Sequence, residues 1–395
     1  MPTALLQDPV SIFCWLATLV ALIFWLSELP AFRGWFRYVP PMVHCYFVPT
    51  ISSTVGITPL ASPAYDLMRL LLLPIALFLL MVTVDLPAIA KVGRTALVVM
   101  LAGTLGIMVG GPVSFAVFQS WLPPDAWKGL AALSGSWIGG SANFVAIAES
   151  VNAPDAILGP AIVVDTVVAY GWMAVLLALS AWQERFDRKT GARREALDEA
   201  SEHLAALAVD RRPSGTRDLL LMLGLALGTA GASIAVGRAL PDLGSPTIIS
   251  HSTWTVLAAV TAGLVLSFTP IRRLETTGAS SMGYVALYLL IAAIGAQADV
   301  RAILSAPAFL ATGLLWMAIH ATILLLVVRL LRAPLFFFAV SSMANVGGAA
   351  SAPLVAAAYH PSMAPVGLLL AILGYILGIY GGLATAWVLG QIAGG

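Results

Sequence analysis

Apolar runs, each about as long as a bilayer-spanning helix, follow one another along this chain with short polar interruptions. A window of about 19 residues resolves twelve of them. Six lie in the first half, at roughly 9 to 27, 39 to 57, 66 to 86, 95 to 122, 131 to 150 and 156 to 182. Six lie in the second, at roughly 218 to 239, 250 to 270, 281 to 299, 306 to 331, 336 to 358 and 365 to 390. They are too long for barrel strands and predict helices. One long polar stretch, Gln183 to Arg217, separates the halves and carries Arg185, Arg188, Lys189, Arg193, Arg194, Arg211, Arg212 and Arg217 among acidic residues. The predicted organisation is an N-terminal membrane repeat (1–182), a charged cytoplasmic linker (183–217) and a C-terminal membrane repeat (218–395). Within the linker, Glu195 to Leu207 has the pattern of a short amphipathic surface helix.

The halves resemble each other at a nearly constant offset, the mark of a duplicated unit. Ala76-Leu77-Phe78-Leu79-Leu80-Met81 returns 210 residues later as Ala286-Leu287-Tyr288-Leu289-Leu290-Ile291. Ile138-Gly139-Gly140-Ser141-Ala142-Asn143 returns 208 residues later as Val346-Gly347-Gly348-Ala349-Ala350-Ser351. The fifth segment of each half is interrupted by its Gly-Gly pair and is rich in Ser and Ala. If each fifth segment enters and returns on one side, every half has five crossings and the repeats are inverted; if each crosses, the repeats are parallel. The positive-inside rule favours inversion. With a cytoplasmic linker it leaves only Arg69, Lys128, Arg238 and Arg301 outside and places both termini in the periplasm.

Inside hydrocarbon every backbone N–H and C=O needs a partner, so a break is tolerated only where it faces protein or a watery cavity. Matched breaks therefore point to a binding site whose half-helix ends hold a solute. The predicted substrate-binding residues are Ser136, Gly139, Gly140, Ser141 and Asn143 at the first break, and Asn345, Gly347, Gly348 and Ser351 at the second. Glycine permits close approach, while Ser and Asn supply donors and acceptors. Small residues also simply let helices pack closely; duplication at matched positions favours the site.

Asp165 lies well inside the sixth segment, where an unpaired carboxylate costs several kcal/mol. It is the predicted ion-coupling residue, with Thr166 as a second oxygen, against the plainer role of fastening two helices. His44 and His320 read as hydrogen-bonded packing residues. Pro40, Pro41 and Pro49 predict a bend or break in the second segment, and Pro74 and Pro112 predict kinks in the third and fourth. Gly224 and Gly228, like Gly374 and Gly378, read as helix-packing sites.

Composition then excludes most other classes. With 60% hydrophobic and 10% charged residues and a mean hydropathy of +0.94, this is an integral membrane protein rather than a soluble enzyme, a nucleic-acid binder or a disulfide scaffold. A net charge of +1 suggests no polyanionic partner. Cys14 and Cys45 sit in or beside apolar segments and read as packing residues. The first segment lacks a signal peptide's short apolar run and cleavage site and is expected to be retained. There is no P-loop, no His-Glu-x-x-His and no activated serine, so an ATP-driven pump and an enzyme are not expected.

The stretches 73–80, 101–106, 135–146, 163–166 and 344–348 resemble the YjcL-like family of bacterial and plastid membrane proteins of unknown function. The most specific of them is Gly135-Ser136-Trp137-Ile138-Gly139-Gly140-Ser141-Ala142-Asn143-Phe144-Val145-Ala146. That family is similar to inverted-repeat secondary transporters, among them glutamate and hydroxycarboxylate symporters with glycine-rich re-entrant hairpins. The resemblance implies an elevator-type architecture, in which a hairpin-bearing domain slides against a dimeric scaffold. It names no substrate, and the breaks here carry no obvious basic residue.

The expected protein is therefore an all-α polytopic membrane protein of two inverted repeats, each with five transmembrane helices plus one Gly-Gly re-entrant or broken helix. It is expected in the cell inner membrane, as a homodimer, moving a small polar or anionic organic solute (amino acid, peptide or carboxylate) by alternating access. Coupling is expected to Na⁺ or H⁺, with Na⁺ near Asp165 and no other cofactor. A channel, and a membrane sensor or structural protein, are the alternatives.

Overall fold

The computed structural model describes residues 4–39, 41–90, 92–192, 212–243, 250–297, 306–360 and 363–394. The predicted surface helix at 195–207 lies outside them. Every regular element among the described residues is a helix. In the first half these are α1 (Pro9–Glu28), α2 (Pro30–Tyr38), α3 (Pro41–Thr54), α4 (Pro63–Met81), α5 (Leu86–Ala90), α6 (Arg94–Phe118), α7 (Ala126–Gly139), α8 (Ser141–Ser150), α9 (Asp155–Leu179) and α10 (Gln183–Thr190). The second half holds α11 (Thr216–Ala239), α12 (His251–Ser267), α13 (Ala279–Ala296), α14 (Ala306–Leu330), α15 (Leu335–Val346), α16 (Gly348–Tyr359) and α17 (Ala364–Gly394).

Eight of these helices are long and apolar enough to cross a membrane: α1, α4, α6, α9, α11, α13, α14 and α17, four in each half. The other four apolar segments fall at the second and fifth places of both halves. The fifth are the interrupted ones. Of the second, α3 is short, while α12, of 17 residues, reaches span length only together with the bent turn that follows it. At 1.5 Å per residue, the 14 residues of α3 extend about 21 Å, less than a hydrocarbon core of about 30 Å. Pro41 opens this helix, and a turn through Gly56 at φ +82° follows its end. Helix α12 is capped at its start by the Ser250 side chain and ends before Pro270, where the chain bends by 97° into a 3-10 turn. Pro74 and Pro112 lie inside α4 and α6, which continue through them. Hydropathy did not foresee α2, a short helix with one apolar face that begins with Pro30 at its first position.

The chain forms two compact units, and each half divides between them at the same place. One unit contains Met1–Thr83, Asn152–Thr166 and Arg211–Ala306, so it takes segments one to three, seven to nine and the start of α9. Its centre is α4, buried continuously from Leu73 to Met81 and packed against α11, α12 and α13. Glycines allow that closeness. A Cβ on Gly263 would lie 2.6 Å from the Met81 Cβ, and one on Gly283 would lie 3.2 Å from the Leu79 Cβ. The repeated motifs at 76–81 and 286–291 thus sit on two helices, α4 and α13, that pack on each other.

The other unit contains Val84–Val151, Val167–Asp210 and Pro307–Gly395, hence segments four, five, most of six, and ten to twelve. Its central strut is α17, which packs against α6, α7, α8, α15 and α16. Gly367, Gly374, Gly378 and Gly382 bring neighbouring backbone or side chains against α17. Both interrupted segments belong to this unit.

Candidate functional site

The first interruption is a hairpin. Gly140 has φ +84° and ψ −178°, a conformation essentially closed to other residues. Its N–H closes α7 on the Ser136 carbonyl at 2.6 Å, and its own carbonyl opens α8 by accepting from Asn143 N at 3.0 Å. A straight continuation would set residues 135 and 147 about 18 Å apart. Instead, a Cβ on Gly135 would lie 2.7 Å from the Asn143 carbonyl oxygen and 2.8 Å from the Ile147 side chain. Helix α8 therefore doubles back along α7.

The second interruption is built alike. Gly347 N closes α15 on the Met343 carbonyl at 2.8 Å, and Gly348, the first residue of α16, takes φ +61°. Helices α15 and α16 pack on each other. In each pair it is the second glycine that carries the positive φ, and these two glycines are repeat equivalents, 208 residues apart. They also meet: a Cβ on Gly348 would lie 3.9 Å from the Gly140 Cα. Tyr375 of α17 stands beside both, 3.9 Å from that Gly348 position and 3.3 Å from a Cβ on Gly140. Sequence reasoning missed Tyr375, because an aromatic residue in an apolar helix carries no signal until its neighbours are known.

The first glycines serve packing. Gly139 is closed in by the Asn143 amide and the Gly374 backbone, and Gly347 by the Met343 and Ser351 side chains. Of the predicted polar residues, Ser136 and Ser351 are buried and Ser141 is half-buried at the start of α8. The two asparagines have different jobs. Asn345 is fully buried and satisfied: its Oδ1 accepts from Thr104 at 3.0 Å, and its amide donates to the Ser341 carbonyl at 3.1 Å and the Met100 carbonyl at 3.4 Å. It fastens α15 to α6. Asn143, 1% exposed, donates to the Tyr375 carbonyl at 2.9 Å, while its Oδ1 is buried without a hydrogen-bond partner among the described residues.

Asp165 and Thr166 fall in the other compact unit, so the structure does not assemble all predicted site residues in one unit. Asp165 is 8% exposed and engaged by its surroundings. The Thr166 hydroxyl donates to its own helix at the Ile162 carbonyl, 2.8 Å away. His320 is fully buried and held at both ring nitrogens, as the sequence reading expects. Nδ1 faces the Gly103 carbonyl at 3.0 Å and Nε2 faces the Ser342 hydroxyl at 2.9 Å. A carbonyl only accepts, so Nδ1 carries the proton and Ser342 donates to Nε2. Ser342 in turn accepts from Trp172 Nε1 at 2.8 Å. This network fixes the first limb of the second hairpin to α6, α9 and α14. No group of three or more His, Cys, Asp or Glu able to hold a metal occurs among the described residues.

The family model described as "Protein of unknown function (DUF819)" matches residues 14–392. The chain is also 25% identical over 341 residues, 84% of its own length and 85% of the relative's, to the "Uncharacterized membrane protein YjcL" of Bacillus subtilis (strain 168). Both findings agree with the YjcL-like resemblance. Neither speaks to the glutamate and hydroxycarboxylate symporters.

Proposed function

The chain belongs to the DUF819 family of membrane proteins, and we propose that it is a secondary transporter of a small polar or anionic organic solute, bound where its two interrupted segments meet. The observation that carries this reading is the juxtaposition of Gly140 and Gly348 in one compact unit, each breaking a buried segment and each beside Tyr375. Broken helices leave backbone donors and acceptors unpaired, which hydrocarbon tolerates only around protein or a solute cavity. Such breaks at equivalent places of a duplicated chain are the pattern of solute sites in repeat transporters.

The finer points belong to the same proposal. Inverted rather than parallel repeats are supported by the hairpin course of α7 and α8 and by the distribution of Lys and Arg. An elevator-type cycle, with the hairpin-bearing unit as the moving part and the other unit as the scaffold of a homodimer, is supported by the way each half divides. Asp165 is the coupling carboxylate, carrying H⁺ or neighbouring Na⁺, in the cell inner membrane with both termini periplasmic.

The test is a ligand panel followed by flux. Purified protein is unfolded thermally with amino acids, short peptides, carboxylates and nucleosides. A ligand at a hundred times its dissociation constant stabilises by about 2.7 kcal/mol. Each hit is then measured for counterflow into proteoliposomes. Saturable counterflow, lost in Gly348→Trp protein that remains folded, is the expected result. Flux that rises linearly with concentration and shows no counterflow would establish a channel instead.

A further inference from the structure

We propose that one end of the unit built on α4 binds anionic phospholipid, with Arg33, Arg217 and Arg273 on the headgroup phosphates and the aromatic residues beside them among the glycerol and upper acyl chains. This contact with lipid is independent of what the protein carries. Three observations, all within that unit, converge on it.

The first is that several elements bring their polar ends to the same face. Trp15 of α1 donates to the Ser52 hydroxyl of α3 at 2.9 Å, and Thr50 of α3 donates to the Gly295 carbonyl near the end of α13 at 2.8 Å. Further along α1, the Phe24 ring centroid lies 4.7 Å from that of Tyr288, nearer the start of α13. Helices α1 and α13 therefore run antiparallel. The end of α1, followed by α2, lies beside the start of α13 and the 3-10 turn Pro270–Thr277 that precedes it. The start of α11 is tied to the same turn: Arg212 N donates to the Thr276 carbonyl at 3.0 Å, and the Ser214 hydroxyl to the Thr277 carbonyl at 2.6 Å.

The second is the pattern of the two short elements. In α2, Phe32, Trp35 and Phe36 share one face and Arg33 lies off it. In the 3-10 turn, with three residues per turn, Ile271 and Leu274 share a face and Arg273 lies off it. The turn is bent by 97° from apolar α12. Segments with an apolar face and arginine beside it lie along a membrane surface rather than across it. Trp35 is 59% exposed and Phe268, just before the turn, 69%. Aromatic rings gather at headgroup level.

The third is charge. Among the described residues the acids at this face are Glu28, Asp218 and Glu275. Asp218 is taken up by Arg212, which donates to both carboxylate oxygens at 2.9 and 2.8 Å, and by Gly215 N at 3.0 Å. Glu275 accepts from the Ser280 backbone at 3.0 Å and its hydroxyl at 2.8 Å. Arg33, Arg217 and Arg273 are exposed and make no ion pair among the described residues. Three outward arginines thus stand against Glu28 alone, an excess that an anionic headgroup neutralises and a zwitterionic one does not. The exposed rings beside them favour a phosphate that carries acyl chains over a soluble anion.

The experiment is thermal unfolding of the full chain in an uncharged detergent, titrated with dioleoyl phosphatidylglycerol, with dioleoyl phosphatidylcholine and with glycerol phosphate. The expected result is a saturable rise in Tm with phosphatidylglycerol alone, diminishing as NaCl is added. Combining Arg33→Gln, Arg217→Gln and Arg273→Gln should weaken the apparent affinity by about tenfold or more. Arg238→Gln, in the last turn of α11 at its opposite end, should retain it. If the triple variant does not fold, Arg217→Gln and Arg273→Gln are measured singly, each with an expected loss of about threefold. Equal stabilisation by phosphatidylcholine, or an unchanged phosphatidylglycerol affinity in the glutamine variants, overturns the proposal. A response to glycerol phosphate as large as that to the lipid overturns it as well, since the partner would then be a soluble anion.

Discussion

Alanine at the two positive-φ glycines should reveal an asymmetry that their matching sequences hide. Gly140 sits at φ +84°, ψ −178°, where a side chain costs about 1–3 kcal/mol in backbone strain. Its new Cβ would also press within 3.3 Å of the Tyr375 ring, tighter than ordinary contact. Gly348 sits at φ +61°, the left-handed helical region, where the strain is about 1–2 kcal/mol. Its Cβ meets nothing closer than 3.9 Å. Either substitution recovers about 0.4–1 kcal/mol by restricting the unfolded chain. With the ring contact added, Gly140→Ala should therefore destabilise by about 1–3 kcal/mol, more than Gly348→Ala, which should cost about 1 kcal/mol or less. Equilibrium unfolding of both variants in mixed detergent and SDS micelles, with the native protein as reference, reads the difference. Equal effects, or a larger loss at Gly348, would show that the backbone at the first hairpin is not held as described.

Gly263→Ala in α12 should destabilise by about 1–3 kcal/mol, because its Cβ would lie 2.6 Å from that of Met81. Gly231→Ala in α11, where nothing lies within 4 Å, should instead stabilise by roughly 0.5–1 kcal/mol through helix propensity; a loss at Gly231 in the same unfolding assay contradicts this. His320→Phe removes the bonds to Gly103 and Ser342 and places a larger ring beside Gly106, where a Cβ would already lie 3.3 Å from the His320 Nδ1. A loss of about 2–3 kcal/mol is expected, and an unfolding curve identical to the native one refutes the network. At the start of α1, the Asp8 carboxylate accepts from the Ser11 backbone N–H at 2.8 Å, which with the Ser11 hydroxyl holds its pKa below the usual carboxylate range. A depressed folded pKa means that the cap is present above the ordinary carboxylate range and lost as pH falls through the lowered value. Amide exchange in the first turn of α1 should therefore quicken on acidification in the native protein and be pH-independent beyond intrinsic chemistry in Asp8→Ala.

Hydropathy and spacing alone determined that this chain is a helical membrane protein, where its apolar segments run, and that its fifth segments break at paired glycines. These are local properties, since a bilayer and a helix act on consecutive residues. The sequence also located both repeated motifs, because duplication leaves its trace in residue order. Pro40 and Pro41 marked the interruption of the second segment, and α3 does begin at Pro41; the end of α12 before Pro270 was not foreseen, since mean hydropathy does not register where a proline stops a helix. Nor did the sequence separate Asn143 from Asn345, each an asparagine within three residues of a Gly-Gly pair. Thr104 satisfies one from 241 residues away, while Tyr375 engages only half of the other from 232 residues away. Which of two identical side chains fastens helices and which retains an open acceptor is decided by these distant partners, as are the meeting of Gly140 with Gly348 and the place of Tyr375 beside them. Hydrogen bonding and close packing act through space, so only the folded chain could assign them.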